Sequence, residues 1–368
     1  MKPKYKALIV NPGCGGIGDT ILTLPFLQLL AQEYNCEIYF LTSPTFRGLS
    51  LLRQVPYIKE IILHNFLPTG FRLGYFGLLF KDLPYDISFM LKLTKRYTFE
   101  FIYQNVYPVP GTDMRYITIL LLFLRASWKA SLTRKKLLLP GIRTVPVDDS
   151  LFLPLQYRKL LPVEPQAKID RVDLSFLLKK PPSPLVSSLL EKKTPFILLH
   201  PFSSSCAALL SPSEKWSAVI SEIRNKIPKN CRIILLGTER DFRDEVERED
   251  WYRLCRELGI ENLVGKTSFT DLAHLVRSCS LFLGHDSSIS HIAWAFNKPR
   301  LILYRTANYG PHPFYKEEDT IRLFLPQVDC FPCGSKFVRI CPTRKCREAF
   351  DWGKAVSTAL ELFEKYST

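Results

Sequence analysis

The chain has 368 residues, 46% hydrophobic and 12% aromatic, which excludes a disordered protein and exceeds what one core usually holds, so two domains are expected. The formal charge of +15 is unevenly spread: residues 1–180 hold 24 Lys and Arg against 13 Asp and Glu, residues 181–368 hold 26 against 22, so the first half faces something acidic. The longest apolar run, Ile117 to Leu124, is too short to span a bilayer.

In chain order, Lys6–Val10 reads as a strand that enters a turn holding Gly13, Gly15, Gly16 and Gly18. Asp19 then opens an amphipathic run, with a helix over Thr20–Tyr34. Glycines admit positive φ and let another molecule approach the backbone, and the helix start offers free N–H groups and a positive dipole end. The spacing Gly13-x-Gly15-x-x-Gly18 also fits a dinucleotide fingerprint, but the next strand, Glu37–Leu41, ends in Thr42-Ser43-Pro44 without the acid that holds a ribose. A nicotinamide oxidoreductase is therefore the alternative reading.

A helix near Phe46–Arg53 and strands at Glu60–His64, Asp86–Met90 and Lys136–Leu139 continue the alternation, which implies a parallel sheet covered on both faces. Phe66 to Tyr107 is aromatic and broken by Pro68, Gly70, Gly74, Gly77 and Pro84, so acceptor-side loops are placed there. From Arg115 to Arg143 stand Arg115, Arg125, Lys129, Arg134, Lys135, Lys136 and Arg143 with no acid. This is either a surface for an anionic membrane, nucleic acid or phosphorylated glycolipid, or a solvated basic face.

Lys179–Pro184 reads as a stiff linker within residues 179–194, between domains of 1–178 and 195–348. A short helix over Leu185–Lys192 follows. The second alternation runs through strands Phe196–His200, Arg232–Leu236, Asn262–Val264, Leu281–Gly284 and Arg300–Leu303. Its helices are Glu214–Asn225, Phe242–Leu258, Phe269–Cys279 and Ser288–Phe296. A last amphipathic helix, Phe350–Phe363 within 349–368, closes the chain.

Gly18-Asp19 followed by Thr-Ile-Leu-Thr-Leu-Pro-Phe-Leu, together with the block from Asn262 to Pro299 that holds Gly284-His-Asp-Ser-Ser288, resembles the lipopolysaccharide heptosyltransferases. The resemblance covers the first 60 or so residues and nearly everything after Pro195. It implies an α/β GT-B fold, two Rossmann-like doubly wound domains facing a central cleft, with the last helix crossing back to the first domain. It also implies inverting, metal-independent transfer of a heptose from an ADP-heptose-type donor to a lipopolysaccharide-core or similar anionic lipid-linked glycan. A cytoplasmic enzyme in peripheral contact with the inner membrane is expected, with no nucleic acid partner.

Under that resemblance Asp19 is the base that takes the acceptor hydroxyl proton, with Gly15, Gly16 and Gly18 as the acceptor-side loop; the rival reading is a plain capping aspartate. Ser287, Ser288 and His291 would hold the donor diphosphate where a strand passes into a helix, and Asp286 would orient the loop and the sugar hydroxyls of the donor. Ser203 and Ser204 would stand beside the phosphates and Glu239 on the ribose, with Asp241 as the alternative for that role. Two departures are visible. The Lys or Arg that family members place before the Pro-x-x-x-Trp matched by Pro212 and Trp216 is replaced by Leu209-Leu210, and Asp-Ser-Gly becomes Asp286-Ser287-Ser288. These leave open a noncatalytic glycan-binding homologue, or substitution by Lys215, Lys266 or Arg305. Cys330, Cys333, Cys341 and Cys346 form a C-x2-C and C-x4-C set open to a structural zinc, free thiols or disulfides. Ten cysteines without a visible targeting signal read as reduced thiols.

Overall fold

The computed structural model describes residues 4–13, 15–66, 76–106, 115–134, 138–148, 153–163, 172–202, 213–304, 320–324, 326–330, 345–347 and 349–367. They divide into two compact units, the first over Met1–Val172 and the second beginning at Asp173. Each is built on a six-stranded parallel sheet.

In the first unit the strands are β1 (Tyr5–Asn11), β2 (Cys36–Thr42), β3 (Ile58–Leu63), β4 (Phe101–Gln104), β5 (Trp128–Thr133) and β6 (Arg143–Pro146), in spatial order β3-β2-β1-β4-β5-β6. Parallel strands are covered on both faces, so the central runs Ala7–Val10 of β1 and Ile38–Leu41 of β2 are apolar and buried. Alternate residues Leu8, Val10, Tyr39, Leu41 and Ile102 form one side of the core with Met90 and Leu93 of α3 (Phe76–Arg96) and Ile117 and Leu120 of α4 (Arg115–Leu120).

The opposite face carries α1 (Ile17–Gln32). Every residue of it from Thr20 to Leu27 is buried, so the run expected to be amphipathic is embedded between the sheet and α5 (Leu153–Arg158). Asp86–Met90, expected as a strand, lies inside α3. Ile87 and Phe89 alternate like a strand, but the buried residues Asp86, Met90 and Leu93 recur at helical spacing, and that period prevails. The acceptor-side loops expected from Phe66 to Tyr107 therefore shrink: 76–96 is helix, Phe101–Gln104 is β4, and 67–75 lies outside the described residues.

α3 is tied to the sheet by a buried polar cluster. His64, just past β3, places Nε2 2.5 Å from Asp86 Oδ1, and the Tyr116 hydroxyl of α4 donates to Asp86 Oδ2 at 2.5 Å. The His64 ring stacks on Phe89 at 3.9 Å and meets Phe66 edge-on.

The second unit repeats the same winding with β7 (Phe196–His200), β8 (Arg232–Leu235), β9 (Glu261–Asn262), β10 (Leu281–His285), β11 (Arg300–Leu303) and β12 (Ile321–Phe324), in order β12-β11-β10-β7-β8-β9. Ile197, Leu199, Ile233, Leu235, Leu281, Leu283, Leu301 and Leu303 share one face. Trp216 and Ile220 of α7 (Ser213–Lys226), Trp251 of α8 (Glu245–Glu257) and the C-terminal helix Trp352–Tyr366 cover that face. The apolar stripe of the C-terminal helix, Ala355, Val356, Ala359, Leu362 and Phe363, is buried in this unit's own core.

The proline-rich stretch read as a linker is tied to the second unit. Ser183 N–H donates to Asp271 Oδ1 at 2.7 Å, and the Lys180 carbonyl bonds His274 at 2.9 Å, both partners lying in α9 (Phe269–Ser278). The short helix expected next is α6 (Pro184–Glu191), which also packs on α9.

Candidate active site

In an open parallel sheet, ligands bind beyond the carboxyl ends of the strands where the winding reverses, because two loops diverge there and leave a crevice. Within the first unit that point lies between β1 and β4, and within the second between β7 and β10. The chain places its glycine turn after β1 and its His-Asp-Ser-Ser turn after β10.

The glycine turn is built to present Asp19. β1 ends in Asn11, whose Oδ1 accepts from Gly13 N–H at 3.0 Å. Gly13 and Gly15 have φ of +101° and +91°, backbone that an L side chain rarely adopts. Gly16 is the N-cap and Gly18 falls in the first turn, so Asp19 is the third helical residue rather than the residue before the helix. With no side chain on Gly16, only half of a capping box forms: Asp19 Oδ2 accepts from Gly16 N–H at 2.6 Å. A Cβ on Gly15 would fall 2.9 Å from Asp19 Cβ and 3.0 Å from Oδ2. Gly15 thus leaves room for the carboxylate, which is solvent exposed and sits in the favourable field of the helix start. The capping and base readings are not rivals, since the cap is what holds the exposed carboxylate.

In the second unit, β10 passes through Asp286 and the N-cap Ser287 into α10 (Ser288–Ala295). Ser290 Oγ takes Ser287 N–H at 3.1 Å and donates to Ser287 carbonyl at 2.7 Å, closing the turn without the Ser287 hydroxyl. Ser287 Oγ is buried and has no hydrogen-bond partner among the described residues. His291, also buried, sets Nε2 3.7 Å from Asp286 Oδ1. The turn therefore gathers a helix start, a hydroxyl and an imidazole.

Gly284 is required in β10 because a Cβ there would meet the His200 carbonyl at 2.2 Å. That contact brings the end of β7 against the same turn. His200 was passed over in the sequence although it heads that turn. It is buried, with Nε2 3.9 Å from Asp241 Oδ2 and Nδ1 unpartnered among the described residues.

Beyond β8, Glu239 is exposed and accepts from the Tyr252 hydroxyl at 2.8 Å. Asp241 turns inward and caps Thr238 N–H at 2.7 Å. Burial works to raise the Asp241 pKa, but the His200 imidazole and the Thr238 groups outweigh it and hold the carboxyl below its usual range. Of the two acids, Glu239 is the one that a ligand reaches.

Several expectations fall on undescribed residues: Ser203, Ser204, Leu209, Leu210 and Arg305, and Cys333 and Cys341 of the cysteine set. Of the other two cysteines, Cys330 is exposed and Cys346 buried. Among the described residues no group of three or more His, Cys, Asp and Glu is placed to hold a metal. Part of the basic stretch is engaged within the unit: half-buried Lys129 bonds the Leu121 and Leu124 carbonyls at 3.2 Å, whereas Arg143 is exposed and lies over the Trp128 ring at 5.6 Å. Burial lowers the Lys129 pKa. Lys266 bonds the Asn262 carbonyl at 3.1 Å. No described helix is long and apolar enough to cross a membrane.

The sequence pattern of glycosyltransferase family 9 (heptosyltransferase) matches residues 144–343, more than half of the chain. The chain belongs to glycosyltransferase family 9. Among relatives of this family 9 chain, lipooligosaccharide heptosyltransferase 2 of Haemophilus influenzae is 26% identical over 337 residues, 86% of this chain and 88% of that one. Among solved structures, the ADP-heptose LPS heptosyltransferase II of E. coli aligns with a TM-score of 0.65 at 16% identity, over 99% of this chain and 100% of that one. A family 9 glycosyltransferase of Veillonella parvula also reaches 0.65, at 13% identity over 99% of each chain. E. coli heptosyltransferase WaaC, solved with ADP-2-deoxy-2-fluoro heptose, gives 0.58 at 14% identity over 86% of this chain and 92% of that one.

At these identities the likeness establishes the fold, which is GT-B, two Rossmann-like units. The family 9 chain is a glycosyltransferase, and its glycine fingerprint is not that of an oxidoreductase. In agreement, the strand after the fingerprint ends in Thr42 and Ser43 rather than an acid.

Proposed function

We propose that this glycosyltransferase moves a heptose-like sugar from an ADP-type nucleoside diphosphate to a hydroxyl of an anionic lipopolysaccharide-core glycan, with inversion. The observation that carries the reading is that, in a family 9 chain, each sheet's reversal point bears one half of the chemistry. An exposed, dipole-supported carboxylate stands at the first, and a helix start with an unpartnered buried hydroxyl stands at the second.

The Asp19 carboxylate takes the proton of the acceptor hydroxyl as its oxygen bonds the anomeric carbon. The bond from that carbon to the diphosphate oxygen breaks on the opposite face, and its electron pair leaves with the nucleoside diphosphate. α10 N–H groups, Ser287 Oγ and His291 receive the charge that develops there. Glu239, at the end of the strand beside β7, accepts from the ribose hydroxyls, the position an acid takes in dinucleotide folds. The carboxyl-terminal unit is thus the donor unit, and the amino-terminal unit with its excess of base binds the anionic acceptor. The reaction takes place in the cytoplasm, at the membrane's inner face where a lipid-linked acceptor is reached. The relatives named for ADP-heptose and lipooligosaccharide support these substrate classes.

Thermal shift with ADP, UDP, GDP and ADP-heptose tests the donor half. ADP compounds are expected to raise Tm. Ser287→Ala is expected to keep the unliganded Tm, since the hydroxyl has no partner among the described residues, and to weaken ADP binding by about 10- to 100-fold. Equal ADP affinity in wild type and Ser287→Ala removes the assignment.

A further inference from the structure

Two buried polar side chains in one row of the first unit, Asn105 and Thr42, have no hydrogen-bond partner among the described residues. β1 and β2 pair Asn11 with Thr42, and β1 and β4 pair up to Val10 with Gln104, so the same register brings Asn105 beside Asn11 as β4 ends. Tyr103 meets Phe26 of α1 edge-on at 5.2 Å, and two-residue alternation puts Asn105 on that same α1 face. Asn11 uses its Oδ1 on Gly13 N–H. Its neighbours differ. Asn105 is 1% exposed and Thr42 0% exposed, and neither Asn105 Oδ1, Asn105 Nδ2 nor Thr42 Oγ1 has a hydrogen-bond partner among the described residues.

A buried amide with both ends unsatisfied destabilises a fold, so it marks a place where a ligand or water completes the bonding. The adjoining turn supplies nothing from side chains at Gly13, Gly15 and Gly16. Some polar groups at this sheet edge pair among themselves: Ser131 donates to Gln104 Oε1 at 2.8 Å, and Gln104 donates to the Val106 carbonyl at 3.1 Å. The Tyr103 hydroxyl and Thr133 Oγ1 share with Asn105 the lack of a partner among the described residues. Asn105 thus holds a buried side-chain amide with both ends unpartnered among the described residues, at the reversal point that also carries Asp19.

We infer that Asn105, with Thr42 as its lesser partner, is an acceptor-binding subsite that takes the hydroxyls of a sugar. This rests on the proposed role of the first unit as the acceptor side. An amide offers one donor and one acceptor group, the complement of a sugar hydroxyl or a vicinal pair, and Thr42 Oγ1 takes part in the same network. Such a site discriminates strongly against a deoxy analogue, because losing the ligand hydroxyl leaves the buried amide unpaired again.

The test is Asn105→Leu, which keeps the volume and removes the unsatisfied amide. It is measured with ADP-heptose and O-deacylated lipooligosaccharide from a strain lacking core heptose. The expected result is a Tm equal to wild type or higher by roughly 2–4 °C, an acceptor KM raised about 10- to 100-fold, and ADP affinity unchanged. Thr42→Val, which preserves shape, is expected to move acceptor KM the same way by less. A fall in Tm with unchanged acceptor KM identifies a purely structural amide, with or without a bound water, and overturns the inference. So does a loss confined to donor binding. Calorimetry of the acceptor alone separates the two ideas: wild type that binds the glycan through Asn105 but transfers nothing contradicts the proposed reaction and leaves the subsite standing.

Discussion

Asp19 depends on what its neighbours lack. Gly15 combines positive φ with a Cβ position already taken by the Asp19 side chain. Gly15→Ala is therefore expected to displace the carboxylate and lower kcat by about tenfold or more while ADP affinity stays as in wild type, a split read from steady-state kinetics with equilibrium binding. This much was legible in the sequence, because an apolar run, a cluster of glycines and an acid define a strand, turn and helix start without tertiary information. Ser287 was legible for the same reason. His200 and Asn105 were not, since what distinguishes them is burial without a partner, a property of the packed sheet edge that no spacing encodes.

Elements of this fold are tied to one another by buried acids. Asp86 binds β3, α3 and α4 together through His64 and Tyr116. Removing one member of a buried pair strands the other, so Asp86→Ala is expected to destabilise the first unit by about 3–5 kcal/mol in denaturant melts. Asp271 fastens the proline stretch to α9. Burial works to raise its pKa, and the Ser183 and Ser268 groups outweigh it, leaving the carboxyl below its ordinary value of 3.8. A depressed folded pKa gives stability that is fully present above the unfolded value and is lost as pH falls through the folded one. Asp271→Asn is thus expected to be less stable than wild type at pH 7, with the gap closing below about pH 4. Melts at both pH values check this, and a constant gap contradicts it. The sequence reading placed Asp86 in a strand because five residues cannot separate a period of two from 3.6 when Ile87 and Phe89 alternate. It missed β4, β5, β6 and β12; in β5, β6 and β12 polar residues such as Lys129, Thr144 and Arg322 interrupt the apolar run, whereas β8 and β11 carry their arginine only at the start.

The two units share one strand order, so the molecule places its two reactive turns by a single topological rule applied twice. Strand order is invisible in sequence, which is why the alternation revealed a doubly wound class but not that Asp19, after the first strand of its sheet, and Ser287, after the fourth of its own, both border a reversal point. The buried thiols report on each unit separately. Burial pushes Cys36 in the first unit up to about 12, and Cys231, Cys255 and Cys279 in the second up to about 11, 11 and 12. Such thiols alkylate only when their unit opens. ADP at a hundred times its Kd is expected to slow alkylation of the second set about 100-fold and leave Cys36 unchanged, as mass spectrometry of iodoacetamide-treated protein would show. Protection of Cys36 alone would place the donor in the first unit.

Asp19→Asn removes the proposed base while preserving the size of the side chain and an oxygen to accept from Gly16 N–H. Single-turnover transfer from ADP-heptose to the heptose-deficient acceptor should fall by about 10²- to 10⁴-fold, with ADP affinity within a factor of two of wild type. Transfer at the wild-type rate by Asp19→Asn would contradict the account.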